Sequence, residues 1–212
     1  MIIIKCDVGH GNNMKIALLN VLSKKEHQMV KGYQIVKGNI IFHEGDACES
    51  IGIIISGKVD IVSYSFQGRE MLINSLRAGE IFGNNLIFSS SPIYKGDVIA
   101  KEKAVIAFIS KEDLITLLQN NKEFLELYLQ AQSDKAKLLT ARIQLLSFPN
   151  AEERLFYYAS KNHNVIEYKN VTTLAATIGV QRETLSRLLT SLIERHLIKK
   201  EKGKITVLKK KR

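Results

Sequence analysis

The stretch TTLAATIGVQRETLSRLLTSL, Thr172 to Leu192, admits few folds. Thr172 to Ile178 reads as a short helix capped by a threonine. Gly179 follows where a tight turn needs a residue that tolerates positive φ. From Gln181 a second helix begins, with Leu185, Leu188, Leu189 and Leu192 at the spacing of one buried face. Off that stripe lie Arg182, Glu183, Ser186 and Arg187, and the last three share one face near the helix start. The pattern is a helix-turn-helix that presents Arg and Glu at the N-terminal end of its second helix, where a major-groove reader meets base edges. An ordinary helix pair with a solvated charged face would carry the same leucine stripe, so the rest of the chain has to decide.

Charge decides in part. The chain carries a formal +10, and Phe148 to Arg212 holds 14 lysines and arginines against six acidic residues, leaving only +2 for the first 147 residues. A near-neutral body joined to a basic end is the footprint expected of a phosphate-backbone contact. A solubility device or a membrane-surface patch gives the same excess, but its coincidence with a helix-turn-helix favours double-stranded DNA. No apolar run reaches the ~18 residues of a membrane span, and MIIIKCDVGH lacks the features of a secretory signal. Two cysteines, Cys6 and Cys48, build no disulfide framework and fit a reducing cytoplasm. They also fall short of the four thiolates that an iron–sulfur cluster usually takes. There is no P-loop, no HExxH and no G-x-S-x-G elbow, so an enzyme is not expected.

Met14 to about Val30 reads as a helix, with Ile16, Leu19 and Leu22 on one side. From Gly32 to Gly96 the pattern changes to short β-type runs (YQIVKG, NIIFHEGD, SIGIIISGKVDIVSY, REMLINSL, EIFG) that hold nine of the 13 glycines. VIAKEKAVIAFIS, Val98 to Ser110, reads as a further hairpin with Lys101–Lys103 near its turn. So many strands in so short a window imply a compact barrel or roll.

Ser110 and Asp113 make a capping box that opens a helical region. After a break near Asn120–Asn121, the longest helix runs from about Lys122 to Leu146. Its seam, Leu125, Leu129, Gln132, Ala136, Leu139, Ile143 and Leu146, alternates steps of four and three. A 3.5-residue period of this length predicts pairing with a second copy of the chain, against the simpler alternative of packing within its own domain. Pro149 ends the helix and Asn150 caps the next, so Ser147–Asn150 is a domain boundary and a candidate hinge. A helix from Ala151 to about Lys161 and a strand at Val165–Tyr168 precede the helix-turn-helix. His196 to Leu208 then reads as two strands around Lys202–Gly203, a wing, and the KKKR end reads as an electrostatic tail. The fold class is α+β: a sensor domain over 1–110, a helical region over 111–148 and a winged helix-turn-helix over 149–212.

HEGDACESIGIIISGKVDIV, AGEIFGNNLIF and GVQRETLSRLLTSLIERHLI together resemble the cyclic-AMP receptor/fumarate-nitrate-regulator (CRP/FNR) family of bacterial transcription regulators, over about residues 16 to 208. The resemblance implies a β-roll of the cyclic-nucleotide-binding type and a homodimer joined along the long helix. It further implies a palindromic promoter site with a TGTGA- or TTGA-like half-site, and RNA polymerase as a partner. Chemistry assigns Arg182 and Arg187 to guanine O6 and N7 and Glu183 to cytosine N4, with Ser186 on a base or phosphate. Gln181 begins the same helix. Thr172, Thr173, Lys199, Lys200, Lys202 and Lys204 suit backbone contacts, which set register without reading sequence.

The sensor departs from the family pattern. Members that bind cyclic nucleotide carry Gly-Glu-Leu after the roll's Phe and an Arg-Ser/Thr about ten residues on. Here Phe82 is followed by Gly83-Asn84-Asn85, and the later phrase is Tyr94-Lys95-Gly96. The ribose carboxylate is replaced by Asn84 and the phosphate-pairing Arg by Tyr94. Lys95 offers a charge without the fork, and the helix aligns Leu139 and Thr140 where the family offers two hydroxyls. Cyclic AMP is therefore not the expected effector. Haem, through His43, His10, His27, Cys48 or Cys6, and a thiol switch at an exposed Cys48 stand as alternatives, with His43 more simply part of the turn phrase HEGD and Cys48 more simply an inert cysteine. The default pocket is the apolar region of Ile81, Phe82, Leu86, Ile87 and Leu139. A ligand-binding module that regulates a protein partner is the second reading of the whole chain.

Overall fold

A computed structural model of the chain describes residues 3–6, in backbone only, and 16–208. The Cys6 side chain, His10 and the Lys209–Arg212 tail lie outside the described residues. The chain forms two compact units, Met1–Ser133 and Asp134–Arg212.

The first unit is a roll of two antiparallel sheets. Strands β1 (Ile3–Cys6), β2 (Val30–Ile35), β4 (Ser50–Ser56), β7 (Ile81–Phe82) and β9 (Ala104–Ser110) make one sheet in the order β1-β2-β9-β4-β7. Strands β3 (Ile40–Phe42), β5 (Lys58–Tyr64), β6 (Glu70–Arg77) and β8 (Asp97–Ala100) make the other in the order β3-β8-β5-β6. The core between them has a large aliphatic part: Ile51, Ile53, Ile54, Val59, Val98, Ile106 and Ile109 are fully buried. At ~1.5–3 kcal/mol for each fully buried aliphatic side chain, this face accounts for much of the unit's cohesion.

Two expectations for this unit are corrected. Val98 to Ser110 is not a hairpin: β8 pairs with β3 and β5, whereas β9 pairs with β2 and β4. The chain changes sheets at Lys101–Lys103, beside the corner where β4 hands over to β5 at Gly57. Gly57 has φ +88°, and a Cβ there would strike the Lys103 carbonyl, so the two crossings close on each other without room for a side chain. The amides of Lys101 and Glu102 donate to the Lys58 carbonyl at 2.9 and 3.4 Å and fasten the corner. Nor is there one helix from Met14 to Val30. Helix α1 covers only Ala17–Asn20, and a 3-10 turn covers Glu26–Met29. Between them Ser23 and Glu26 form a capping box, the Ser23 amide donating to Glu26 Oε2 at 2.7 Å and the Glu26 amide to Ser23 Oγ at 3.3 Å. Ile16, Leu18, Leu19 and Leu22 are nonetheless buried.

Helix α2 (Lys111–Asn120) starts where expected, with Ser110 Oγ accepting from the Asp113 amide. Asn121 breaks the chain and caps α3 (Lys122–Leu146), its Oδ1 accepting from the Phe124 amide. The first turns of α3 bury Phe124 and Tyr128, stacked at 6.4 Å, against the roll's core.

In the second unit, α4 (Ala151–Ser160) is capped by Asn150, α5 (Val171–Ile178) by Asn170 and not by a threonine, and α6 covers Arg182–Glu194. A three-stranded sheet, β10 (Val165–Glu167), β12 (Lys204–Val207) and β11 (Ile198–Glu201), forms the wing. Gly179 ends α5 at φ +74°, and a Cβ there would meet Leu146 of α3. Gly179→Ala is expected to destabilise this unit by about 1–2 kcal/mol, read as an earlier urea midpoint. An unchanged midpoint would contradict the turn's dependence on glycine.

Candidate nucleic-acid interface and sensor site

Leu185, Leu189 and Leu192 are buried against α4 and α5, and Leu188 is half-buried, so the stripe read from sequence is the inner face of α6. This rotation turns Arg182, Glu183, Ser186 and Arg187 to solvent. Gln181 is the N-cap residue and supplies no side-chain cap, so the first amides of α6 remain available to an anion. None of Arg182, Glu183 and Arg187 is held in an ion pair among the described residues. Thr172 and Thr173 are exposed in the first turn of α5. Thr173 Oγ1 donates to the Asn170 carbonyl at 2.8 Å, which holds it at the helix start.

On the wing, Lys202 and Lys204 are exposed and border a groove of about 530 Å³ with Glu167, Tyr168, Lys169 and Gly203. Gly203, at φ +73°, makes the tight turn between β11 and β12. Lys199 Nζ lies 2.8 Å from Glu201 Oε1 on the same strand. Sequence reasoning also missed the clamp that closes the unit: Arg195 makes a fork with Glu152, at 2.8 and 3.0 Å, tying the end of α6 to the start of α4. No spacing rule points to a pair 43 residues apart.

In the roll, Phe82 and Tyr94 of the sensor candidates come together in a cluster of rings. Phe42 stacks on Tyr94 at 4.6 Å and meets Phe82 and Phe108 edge-on at 6.4 and 6.0 Å. Gly52 lies under the Phe82 ring, where any Cβ would collide with it. Asn84 is buried, and its amide is bonded to Gln132 of α3. Lys95 is exposed and outside this cluster of buried rings. Leu139 and Thr140 are exposed and belong to the other compact unit.

Of the two readings of Cys48, the structure supports the inert cysteine and not the exposed thiol. Cys48 is a free, buried cysteine, 3% exposed, with its Sγ donating to the carbonyls of Ser50 and Gly83 at 3.5 Å. Burial pushes the thiol up from its ordinary value, which suppresses the reactive thiolate. Among the described residues no cluster of three or more His, Cys, Asp or Glu is placed to hold a metal. His43 serves its turn: its amide donates to Asp46 Oδ2 at 2.7 Å and its ring faces Asp97 at 3.7 Å. His27 lies in the Ser23–Glu26 turn, with Nδ1 3.0 Å from the Ser23 carbonyl oxygen.

Comparison with known proteins agrees with both halves. Residues 34–121 match the cyclic nucleotide-binding domain family and residues 157–212 match the Crp-like helix-turn-helix domain. The chain belongs to the CRP/FNR family of transcription regulators. The cAMP-activated global transcriptional regulator Vfr of Pseudomonas aeruginosa is 28% identical over 181 residues, covering 79% of this chain and 84% of Vfr. The cyclic AMP receptor protein of Thermus thermophilus is 25% identical over 175 residues, 81% of each chain. In fold, CprK complexed with OCPA aligns at a TM-score of 0.66 with 18% identity, over 85% of this chain and 87% of that one. A CooA mutant from Carboxydothermus hydrogenoformans aligns at 0.63 with 17% identity, over 93% and 92%. The CRP/FNR assignment thus rests on both domains, and no helix among the described residues is long and apolar enough to cross a membrane.

The Tyr94 hydroxyl is buried without a hydrogen-bond partner, and burial, reinforced by the adjacent Cys48 thiol, pushes its ionisation far above the ordinary tyrosine range. The unfolded chain would ionise Cys48 and Tyr94 near their ordinary values of 9.0 and 10.0, whereas the folded roll keeps both neutral. The stability that this neutrality provides is therefore fully present below pH 9 and declines as pH rises through 9 and 10. Tyr94→Phe is expected to raise stability at neutral pH by about 1 kcal/mol, because it deletes an unsatisfied buried group. It should also flatten the decline above pH 10. Thermal melts across pH 7–11 test both, and a destabilised variant with an unaltered alkaline decline would contradict the assignment.

Proposed function

We propose that this CRP/FNR-type regulator is a homodimer that reads palindromic promoter DNA with α6, under control of an effector other than cyclic AMP sensed by the roll. The observation that carries the reading is the outward face of α6, where Arg182, Glu183, Ser186 and Arg187 are exposed and unneutralised at the N-terminal end of a helix locked by its leucines. Arg182 and Arg187 present forks to guanine, and Glu183 accepts from cytosine. Lys202 and Lys204 on the wing, with Thr172 and Thr173 at the start of α5, take the phosphates.

Dimerisation is supported by the outer surface of α3. Leu129, Leu139 and Ile143 are 54, 56 and 70% exposed, and Ala136 and Leu146 are exposed beside them. Leu125 is half-buried at the start of the seam. Apolar side chains so placed at 3.5-residue spacing suit a second copy of the same helix. Two-fold symmetry then sets the recognition helices about 34 Å apart, one turn of the duplex. RNA polymerase is the partner by family, and promoter geometry decides activation or repression. Cyclic AMP is excluded from the reading by chemistry. Asn84 and Tyr94 offer neither a carboxylate for the ribose nor a guanidinium for the phosphate, although Vfr is cAMP-activated.

Fluorescence anisotropy on a TGTGA- or TTGA-type palindrome tests the DNA reading. Glu183→Ala is expected to relax base preference, weakening the palindrome while leaving random duplex unchanged. Lys202→Ala is expected to weaken both equally and lower the salt slope by about 1. Equal loss on both duplexes from Glu183→Ala would defeat the assignment. Ile143→Asp is expected to yield monomers by light scattering, and an intact dimer would remove α3 as its seam.

A further inference from the structure

Gln132 interrupts the apolar seam of α3, and its side chain is turned to the roll. Its Oε1 accepts from Asn84 Nδ2 at 2.6 Å, while its Nε2 donates to the Asn84 carbonyl at 3.0 Å and to Tyr128 Oη at 3.2 Å. One side-chain amide thus engages both a side-chain donor and the backbone acceptor of a residue 48 positions away. Asn84 is 5% exposed, beside the fully buried Phe82 and Ile87. It follows Gly83, whose φ of +78° turns the backbone at the end of β7 and which admits no Cβ against the Ser50 carbonyl. In such surroundings an unmade amide bond is costly, so the pair specifies one seating of α3 on the roll.

We propose that Gln132 and Asn84 form an internal latch: a helix side chain fills the polar site of the roll, so the first turns of α3 dock without a ligand, and any effector acting there must displace the Gln132 amide. The groups are neutral, so neither salt nor pH between 6 and 8 opens the latch. A competing molecule has to offer an acceptor to Asn84 Nδ2 and a donor to the Asn84 carbonyl, the hydrogen-bond pattern of an amide or a similar donor–acceptor edge. Helix α3 runs unbroken from Lys122 to Leu146. Its far end belongs to the second unit, where Tyr157 Oη donates to Gln144 Oε1 at 3.2 Å and Leu146 lies against Gly179.

Hydrogen–deuterium exchange on the full chain tests this without DNA. The Leu86 and Ile87 amides, bonded to the Gly83 carbonyl at 2.9 and 3.0 Å, report on the loop that holds Asn84. Gln132→Leu is expected to speed their exchange about tenfold. Asn84→Ser is expected to do the same, and the double variant to be no faster than either single one. Unchanged exchange in Gln132→Leu, or effects that add in the double variant, would overturn the latch. If Gln132→Leu does not fold, Gln132→Glu takes its place. It keeps the size, loses both nitrogen donors and sets a carboxylate against the Asn84 carbonyl, so the same tenfold acceleration is expected and its absence is decisive. Wild-type exchange should be the same at 50 and 500 mM salt, and a salt-sensitive loop would also count against a neutral latch. A chain that shows the non-additive pattern yet ignores palindromic DNA would overturn the proposed function and leave the latch standing.

Discussion

Burial of Leu185, Leu189 and Leu192 fixes the rotation of α6 about its axis, and with it the direction of every charged side chain on that helix. A helix turned by one residue would swing about 100° and bring Arg or Glu into the core formed by Leu155, Ile178 and Ile205. The cost of an unpaired buried charge makes that arrangement inaccessible. The outward face is thus a consequence of the inward one, and the Arg195–Glu152 fork and the Gly179 turn secure the frame around it. What α6 can offer to a duplex follows from where its leucines go.

Helix α3 carries a second constraint, because it has apolar residues on more than one face. Phe124 and Tyr128 seal the roll, Gln132 fastens it through Asn84, and Leu129, Leu139 and Ile143 remain exposed. A heptad pattern marks the exposed seam, but it does not show that one seam position does different work. In the family pattern a carboxylate in the roll would hold a ribose. Here the corresponding position is an amide bonded within the chain, and Tyr94 stacks on Phe42 where an arginine would pair with a phosphate. The roll keeps the architecture, and at these two positions its side chains are neutral.

The helix-turn-helix, the wing, the glycine-punctuated roll and the break at Asn121 were all legible in the sequence, since each is written by local rules of periodicity, capping and turn chemistry. The misreadings have a common cause in non-local pairing. Val98–Ser110 looks like a hairpin because its strands are adjacent in sequence, yet the corner at Gly57 and Lys103 sends them to different sheets. The Met14–Val30 periodicity correctly marks buried residues, but the Ser23–Glu26 capping box restarts the chain within it. Thr172 looks like a cap, although Asn170, two residues earlier, accepts the amide bond from Thr173. Cys48 sits in a polar phrase that suggests a loop thiol, and only the three-dimensional packing of Gly83, Ser50 and Tyr94 around it reveals its burial. The outward face of α6 was legible because its exposure follows from a local stripe, whereas the Gln132–Asn84 pair joins residues 48 positions apart and leaves no local trace.

In the proposed complex, two copies of this chain place two α6 helices on successive turns of one duplex. Native mass spectrometry of the full chain on a palindromic duplex measures this directly, repeated with five base pairs inserted between the half-sites. The account predicts two chains per duplex, and loss of that complex when the insertion rotates one half-site to the opposite side of the helix. One chain per duplex, or two chains bound equally well whatever the spacing, would contradict it.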